Sequence, residues 1–285
     1  MSDLASAIDR AREMPTVYPH QVDFTMHSRD AVEEKFGGDD GLINFFYKTE
    51  NGTRMRDILV ISALLPNLDP RLKDFGDNIW VPDEGPHGDC FGTWQVDHLG
   101  GKLAPITEGV SFDKRLAGAF NRSSPAFHQI FEAYYVALGA LHERTTALGY
   151  KLFDELLGRM GEVAIQQTMI KPIRRNEATH LQVYRQAALE KIPLLKEWQR
   201  FVLRKFMEKS YSPVGTGRPV QENKAHFGNV VLALAGEDFE GLVAPVEDIA
   251  QELLGDGENI LPLFVRKSFQ QCVDLAKAKD SPQAA

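Results

Sequence analysis

The sequence predicts an all-α protein built on a four-helix bundle with additional peripheral helices. Three observations predict it. Long stretches return apolar residues at helical spacing, and no segment alternates apolar and polar residues convincingly. A Glu-x-x-His pair is also written twice, each time behind a lone glutamate at the same interval.

Taken in order, "MSDLASAIDRAREMP" mixes charges and reads as a short amphipathic helix rather than a signal peptide. Residues 40–65, "DGLINFFYKTENGTRMRDILVISALL", carry a helical period and stop at the breaker "PNLDP". In "VPDEGPHGDC" (81–90), Gly85-Pro86 disfavours a helix interior, so the segment is a turn unless a helix begins near Pro82. Residues 124–161 form a long helix behind a Ser-Pro start. Residues 162–191 form another, with a kink expected at Pro172. "LLKEWQRFVLRKFMEKS" is a further amphipathic helix, and glycines cut "GEDFEGLVAPVEDIAQELLGDGENI" into short ones.

No linker splits the chain. Its 285 residues read as a single domain, with a bundle core over about 40–191, C-terminal helices over about 192–275 and a frayed tail at 276–285. A hydrophobic content of 43% and a charged content of 25% are those of a soluble globular protein. The net charge of −8 argues against general nucleic-acid binding. Two cysteines, Cys90 and Cys272, leave no disulfide framework or thiolate zinc cluster, and a reducing, cytoplasmic setting follows. The apolar runs are too short for a membrane span.

The repeated motif carries the chemistry. Glu84/His87 follow Glu50, and Glu177/His180 follow Glu143, each pair 34 residues behind its lone glutamate (50 to 84, 143 to 177). A separation of three puts both side chains of a pair on one helix face. The interval lets one helix climb, turn and return, so each half is an antiparallel pair with its ligands at one height. A single Glu-x-x-His usually marks a solvated face; two in matched order are far less expected by accident. One Glu from each of two helices plus Glu-x-x-His from two others is the donor set of ferritin-like di-iron and di-manganese proteins. Carboxylates offset the charge of two close metal ions, and each imidazole adds a nitrogen while leaving open positions.

The local wording also resembles a family. "IWVPDEGPHGD" is similar to the Trp-x-x-x-Glu-x-x-His-Gly-Asp stretch of soluble acyl-[acyl-carrier-protein] desaturases, through Trp80, Glu84, His87, Gly88 and Asp89. "HERTT" resembles that family's Glu-Arg-x-Thr through Glu143, Arg144 and Thr146, and "NEATHLQVYRQ" its last ligand helix through Glu177 and His180. The resemblance spans about residues 45 to 190. It implies two irons on Glu50, Glu84, His87, Glu143, Glu177 and His180, with manganese able to replace one or both. It also implies Thr146 beside the oxygen site, a ferredoxin-like external electron donor and a homodimer. The family places an acidic residue before both pairs; Asp83 fits, whereas Asn176 departs and removes a carboxylate that would orient a metal-bound imidazole.

An acyl carrier protein is acidic and needs a basic docking patch. Residues 191–209 hold six Lys/Arg against two Glu, with Lys196, Arg200 and Arg204 recurring every four residues. An ordinary solvated face has the same pattern. Arg174 and Arg175 could assist docking. Trp198, Phe201, Val202 and Phe206 read as core, as do Tyr134 and Tyr135, and His226 as a surface or core histidine rather than a ligand. The expected activity is O2-dependent desaturation of a carrier-bound acyl chain. The alternatives are hydroxylation or N-oxygenation of a small metabolite, metal storage, and a helical interaction protein without metals.

Overall fold

Across residues 3–52, 65, 67–106, 124–216, 220–236, 238–255 and 263–279, which the computed structural model describes, the chain is helix and connecting turn with no strand. The helices are α1 (Leu4–Glu13), α2 (Arg29–Phe36), α3 (42–52), α4 (Pro70–Phe75), α5 (Val81–Thr93), α6 (Pro125–Met160), α7 (Val163–Ile165), α8 (Lys171–Lys191), α9 (Glu197–Ser210), α10 (Val220–Ala235), α11 (Glu240–Leu254) and α12 (Phe264–Lys279). The second part of the helix expected over 40–65 lies outside the described residues.

Prolines are absorbed by widened turns. α4 passes through a π-helical turn at Gly76–Trp80 into α5, and α7 passes through another at Gln166–Ile170 into α8. In each, a backbone N–H reaches five residues back, Val81 to Gly76 and Lys171 to Gln166, immediately before Pro82 or Pro172. A proline lacks one rung of the α ladder, and a shifted register accommodates the loss. The expectation of a helix starting near Pro82 is therefore corrected. The helix starts at Pro70 and runs across Gly85-Pro86, where Asp83, Glu84, Gly85, His87 and Gly88 are buried against neighbours. Tertiary packing outweighs the weak local propensity.

Four helices form the core. α6 starts with Pro125 at its first position and ends at Gly161, whose φ of 79° is open to glycine at little cost. α6 and α8 run antiparallel: Tyr135 meets Tyr184, Glu143 meets His180, and the Asp154 carbonyl accepts from Gln166. α3 and α5 pair likewise, through Phe46 on Phe91 and Asn51 beside Gly88. Two glycines permit close approach. A Cβ at position 88 would stand 2.1 Å from Asn51 Nδ2, and one at position 139 would stand 2.5 Å from the Tyr184 ring.

α1 packs on α8, α9 and α11 pack on α6, and α10 pairs with α12. Buried side chains from these elements form one contiguous cluster. Trp198, Phe201 and Phe206 are not core: they are 47%, 57% and 40% exposed. α9 instead buries Gln199, Leu203 and Met207, a stripe at i, i+4 and i+8 that the flanking aromatics obscure in the sequence. Val202 is half-buried against the core, as are Tyr134 and Tyr135. The glycine-rich piece contains one helix of 15 residues that continues through Pro245. The expected tail is helical as far as Lys279, with Ala276 buried; residues 280–285 lie outside the described set. No helix among the described residues is long and apolar enough to cross a membrane.

Candidate metal centre

Each of the four core helices presents acidic or imidazole groups to its neighbours. Glu50 comes from α3, Glu84 and His87 from α5, Glu143 from α6, and Glu177 and His180 from α8; none is more than 6% exposed. Their donor atoms fall into two groups, Glu50/Glu84/His87/Glu177 and Glu84/Glu143/Glu177/His180, each with all its atoms within 4.8 Å of one another. Glu84 and Glu177 belong to both. All six residues expected from the spacing therefore meet in one cluster.

The inner atoms are close but unbonded. His87 Nδ1 stands 3.3 Å from Glu177 Oε1, and His180 Nδ1 stands 3.4 Å from Glu84 Oε1 and 3.9 Å from Glu143 Oε2. All five of these atoms lack a hydrogen-bond partner among the described residues. A buried polar atom without a partner costs about 1–3 kcal/mol, and a charged one more. Several converging on one point fit a cation. Metal bonds of about 2.1 Å put neighbouring donors about 3 Å apart, close to the separations here. The cluster could hold metal ions, and its oxygen and nitrogen donors with no thiolate suit first-row dications.

The outer atoms are mostly satisfied. Trp80 Nε1 donates to Glu143 Oε1 at 3.0 Å, and the Tyr150 hydroxyl donates to Glu50 Oε1 at 2.6 Å. His180 Nε2 lies 3.1 Å from Asp83 Oδ2, and the Thr16 hydroxyl donates to Asp83 Oδ1. Aromatic rings close the flanks. Phe46, Phe91 and Tyr150 stack on one another beside Glu50, and Phe75 and Tyr184 pack edge-on beside His180.

Electrostatics follow from this burial. Glu84, Glu143 and Glu177 are held well above the ordinary carboxylate range, first by burial and then by neighbouring carboxylates. Burial pushes His87 down to about 4. Burial also acts to raise Asp83, but hydrogen bonds from His180 and Thr16 and the nearby imidazoles leave it below its usual value. Four carboxylates match the charge of two dications, so metal binding would release protons and remove the repulsion.

Other predicted residues sit elsewhere or act differently. Thr146 is buried on α6, and its hydroxyl donates to the His142 carbonyl at 3.1 Å. Lys196, Arg200 and Arg204 lie at or on α9, which carries no ligand; Arg200 and Arg204 line a groove against α11. Arg174 pairs with Asp154 at 2.7 Å, and Arg175 is exposed. His226 is a buried core histidine between Lys48 and the Gly41 carbonyl. Sequence reasoning missed Tyr150, Thr16 and the role of Trp80. Two of these carry a faint signal, since Trp80 is four residues before Glu84 and Tyr150 seven after Glu143. Thr16 carries none.

Neither a protein-family model nor a curated protein nor a solved structure matches this chain.

Proposed function

We propose that the chain is an O2-dependent di-iron oxidoreductase that desaturates an acyl chain presented on an acyl carrier protein. One observation carries the reading: five unpartnered donor atoms from three helices converge with Glu50 of a fourth in a buried cluster that divides into two metal-sized groups. The irons, when bound, supply the reduction of dioxygen and the removal of hydrogen from unactivated carbon. Oxygen and nitrogen donors without thiolate suit iron, and the proposed reaction with O2 requires a redox-active ion.

The chain's own residues do the rest. Glu84 and Glu177 would be shared between the two positions, with Glu50 and His87 completing one and Glu143 and His180 the other. Trp80 and Tyr150 hold the outer carboxylate oxygens and so aim the inner ones. Phe46, Phe75, Phe91 and Tyr184 exclude water, which strengthens each electrostatic contact. Tyr150 keeps its proton on the Glu50 side, and burial followed by the charge of Glu50 raises its pKa well above the phenol range. Thr146 donates its proton to a carbonyl, leaving its oxygen lone pairs to accept a hydrogen bond from a bound species. Electrons come from an external, ferredoxin-like donor. The carrier docks on the basic residues Lys196, Arg200 and Arg204, and the enzyme works as a homodimer.

The test is anaerobic loading with Fe(II), metal analysis and an absorption spectrum after oxygen exposure, followed by turnover with acyl carriers. About two irons per chain, an oxo-bridged ferric band and unsaturated product support the proposal. Turnover of a free small metabolite that is indifferent to Arg200→Ala/Arg204→Ala replaces desaturation by hydroxylation or N-oxygenation. Iron uptake far beyond two per chain makes it a storage protein.

A further inference from the structure

We propose that the two metal positions are unequal, and that the one completed by Glu143 and His180 fills before the one completed by Glu50 and His87. This rests on reading the cluster as a two-metal site. The difference lies in what holds the outward nitrogen of each imidazole.

Asp83, the residue before Glu84, crosses from α5 to α8 and accepts a hydrogen bond from His180 Nε2 at 3.1 Å. Asn176, the residue before Glu177, occupies the matching place on α8 and makes no hydrogen bond to His87. Its Nδ2 donates to the Pro15 carbonyl at 3.3 Å, and its Oδ1 has no partner among the described residues. His87 Nε2 has none either. Both residues are buried, His87 at 0% and Asn176 at 1% exposure, so bulk water does not serve them.

Two adjacent residues of the N-terminal segment sharpen the contrast. Thr16 donates to Asp83 and holds it against His180, whereas the Pro15 carbonyl accepts from the Asn176 amide. An anionic acceptor on a ligating imidazole fixes its tautomer and raises its basicity, and loss of such a partner costs about 10–100-fold in metal affinity. A neutral amide oxygen, even if it turned to His87, gives a hydrogen bond roughly half as strong as a charge-assisted one. The donors on the outer carboxylates act in the same direction. The Tyr150 phenol is a more acidic donor than the Trp80 indole N–H and so withdraws more charge from Glu50 than Trp80 withdraws from Glu143. Asp83, Thr16 and Asn176 are positioning residues, and the protein passes through a defined one-metal state that a second, different ion can complete.

The experiment uses the full chain, stripped of metal and titrated anaerobically with Mn(II), with equilibrium dialysis and electron paramagnetic resonance as readouts. The first equivalent should give an uncoupled Mn(II) signal, and the second, binding about 10–100-fold more weakly, should replace it with that of a coupled pair. His87→Ala should keep the tight position and His180→Ala only the weak one. Asn176→Asp should tighten the second step about tenfold, and Asp83→Asn should weaken the first, with far-UV circular dichroism confirming the fold of each. Two steps of equal affinity, or a tight position that survives His180→Ala and vanishes in His87→Ala, overturn the inequality while leaving the two-metal reading intact. Failure of the unaltered chain to bind Mn(II) or Fe(II) overturns both.

Discussion

Removing metal should make the protein less stable as pH rises, the opposite of most carboxylate-rich proteins. Burial, followed by neighbouring carboxylates, holds Glu84, Glu143 and Glu177 well above the ordinary value of 4.5. The folded state therefore keeps protons that the unfolded chain has already released. Stability then falls with pH from about 4.5 until each acid ionises in the fold, by roughly 1.4 kcal/mol per pH unit for each retained proton. His87 and His226 oppose this. Both are pushed down to about 4 from 6.5, so between those limits the unfolded chain holds their protons and stability rises with pH. Three falling groups against two rising ones leave a net fall of at most about 1.4 kcal/mol per unit below pH 6.5. Above pH 7 the imidazoles no longer oppose the carboxyls, and each proton the cluster still holds lowers stability by about 1.4 kcal/mol per pH unit. Urea unfolding of chelator-treated protein at pH 5, 6, 7 and 8 measures it. A parallel series with Mn(II) should be nearly flat from pH 7 to 8, because the metal has displaced the protons. Metal-free stability that rises throughout pH 5 to 8 would refute the claim that these carboxyls are held above their ordinary range without metal.

Glu143→Ala should leave the helical circular dichroism unchanged and drop the iron content well below two per chain; full occupancy would remove Glu143 from the ligand set. Gly88→Ala places a methyl 2.1 Å from Asn51 Nδ2, next to Glu50. It should cost about 1–3 kcal/mol in urea unfolding and weaken binding at the His87 position. Tyr150→Phe removes the donor to Glu50 and should destabilise the metal-free protein by about 1–3 kcal/mol. An unchanged midpoint in that variant would mean the 2.6 Å contact contributes nothing.

The ligand set was legible because it is written in local spacing. Glu-x-x-His reads the same in a sequence and on a helix face, and the 34-residue interval matches two helices joined by a turn. The same locality explains the failures. Gly85-Pro86 looked like a break because propensity counts only near neighbours, whereas burial of Asp83 through Gly88 holds the helix through it. On α9 the period was right and the phase was not: an aromatic-rich stripe and a mixed stripe fit the same period, and only contact with α6 and α12 selects the buried one.

The sequence by itself determined the helical class, the four core helices and the six clustered acids and imidazoles. Tertiary structure alone decided what surrounds them. Tyr150 reaches Glu50 across 100 residues of chain, Thr16 reaches Asp83 across 67, and Asn176 turns to Pro15 across 161. A hydrogen bond between distant residues has no period or spacing to read. It exists only once packing has brought its donor and acceptor within about 3 Å.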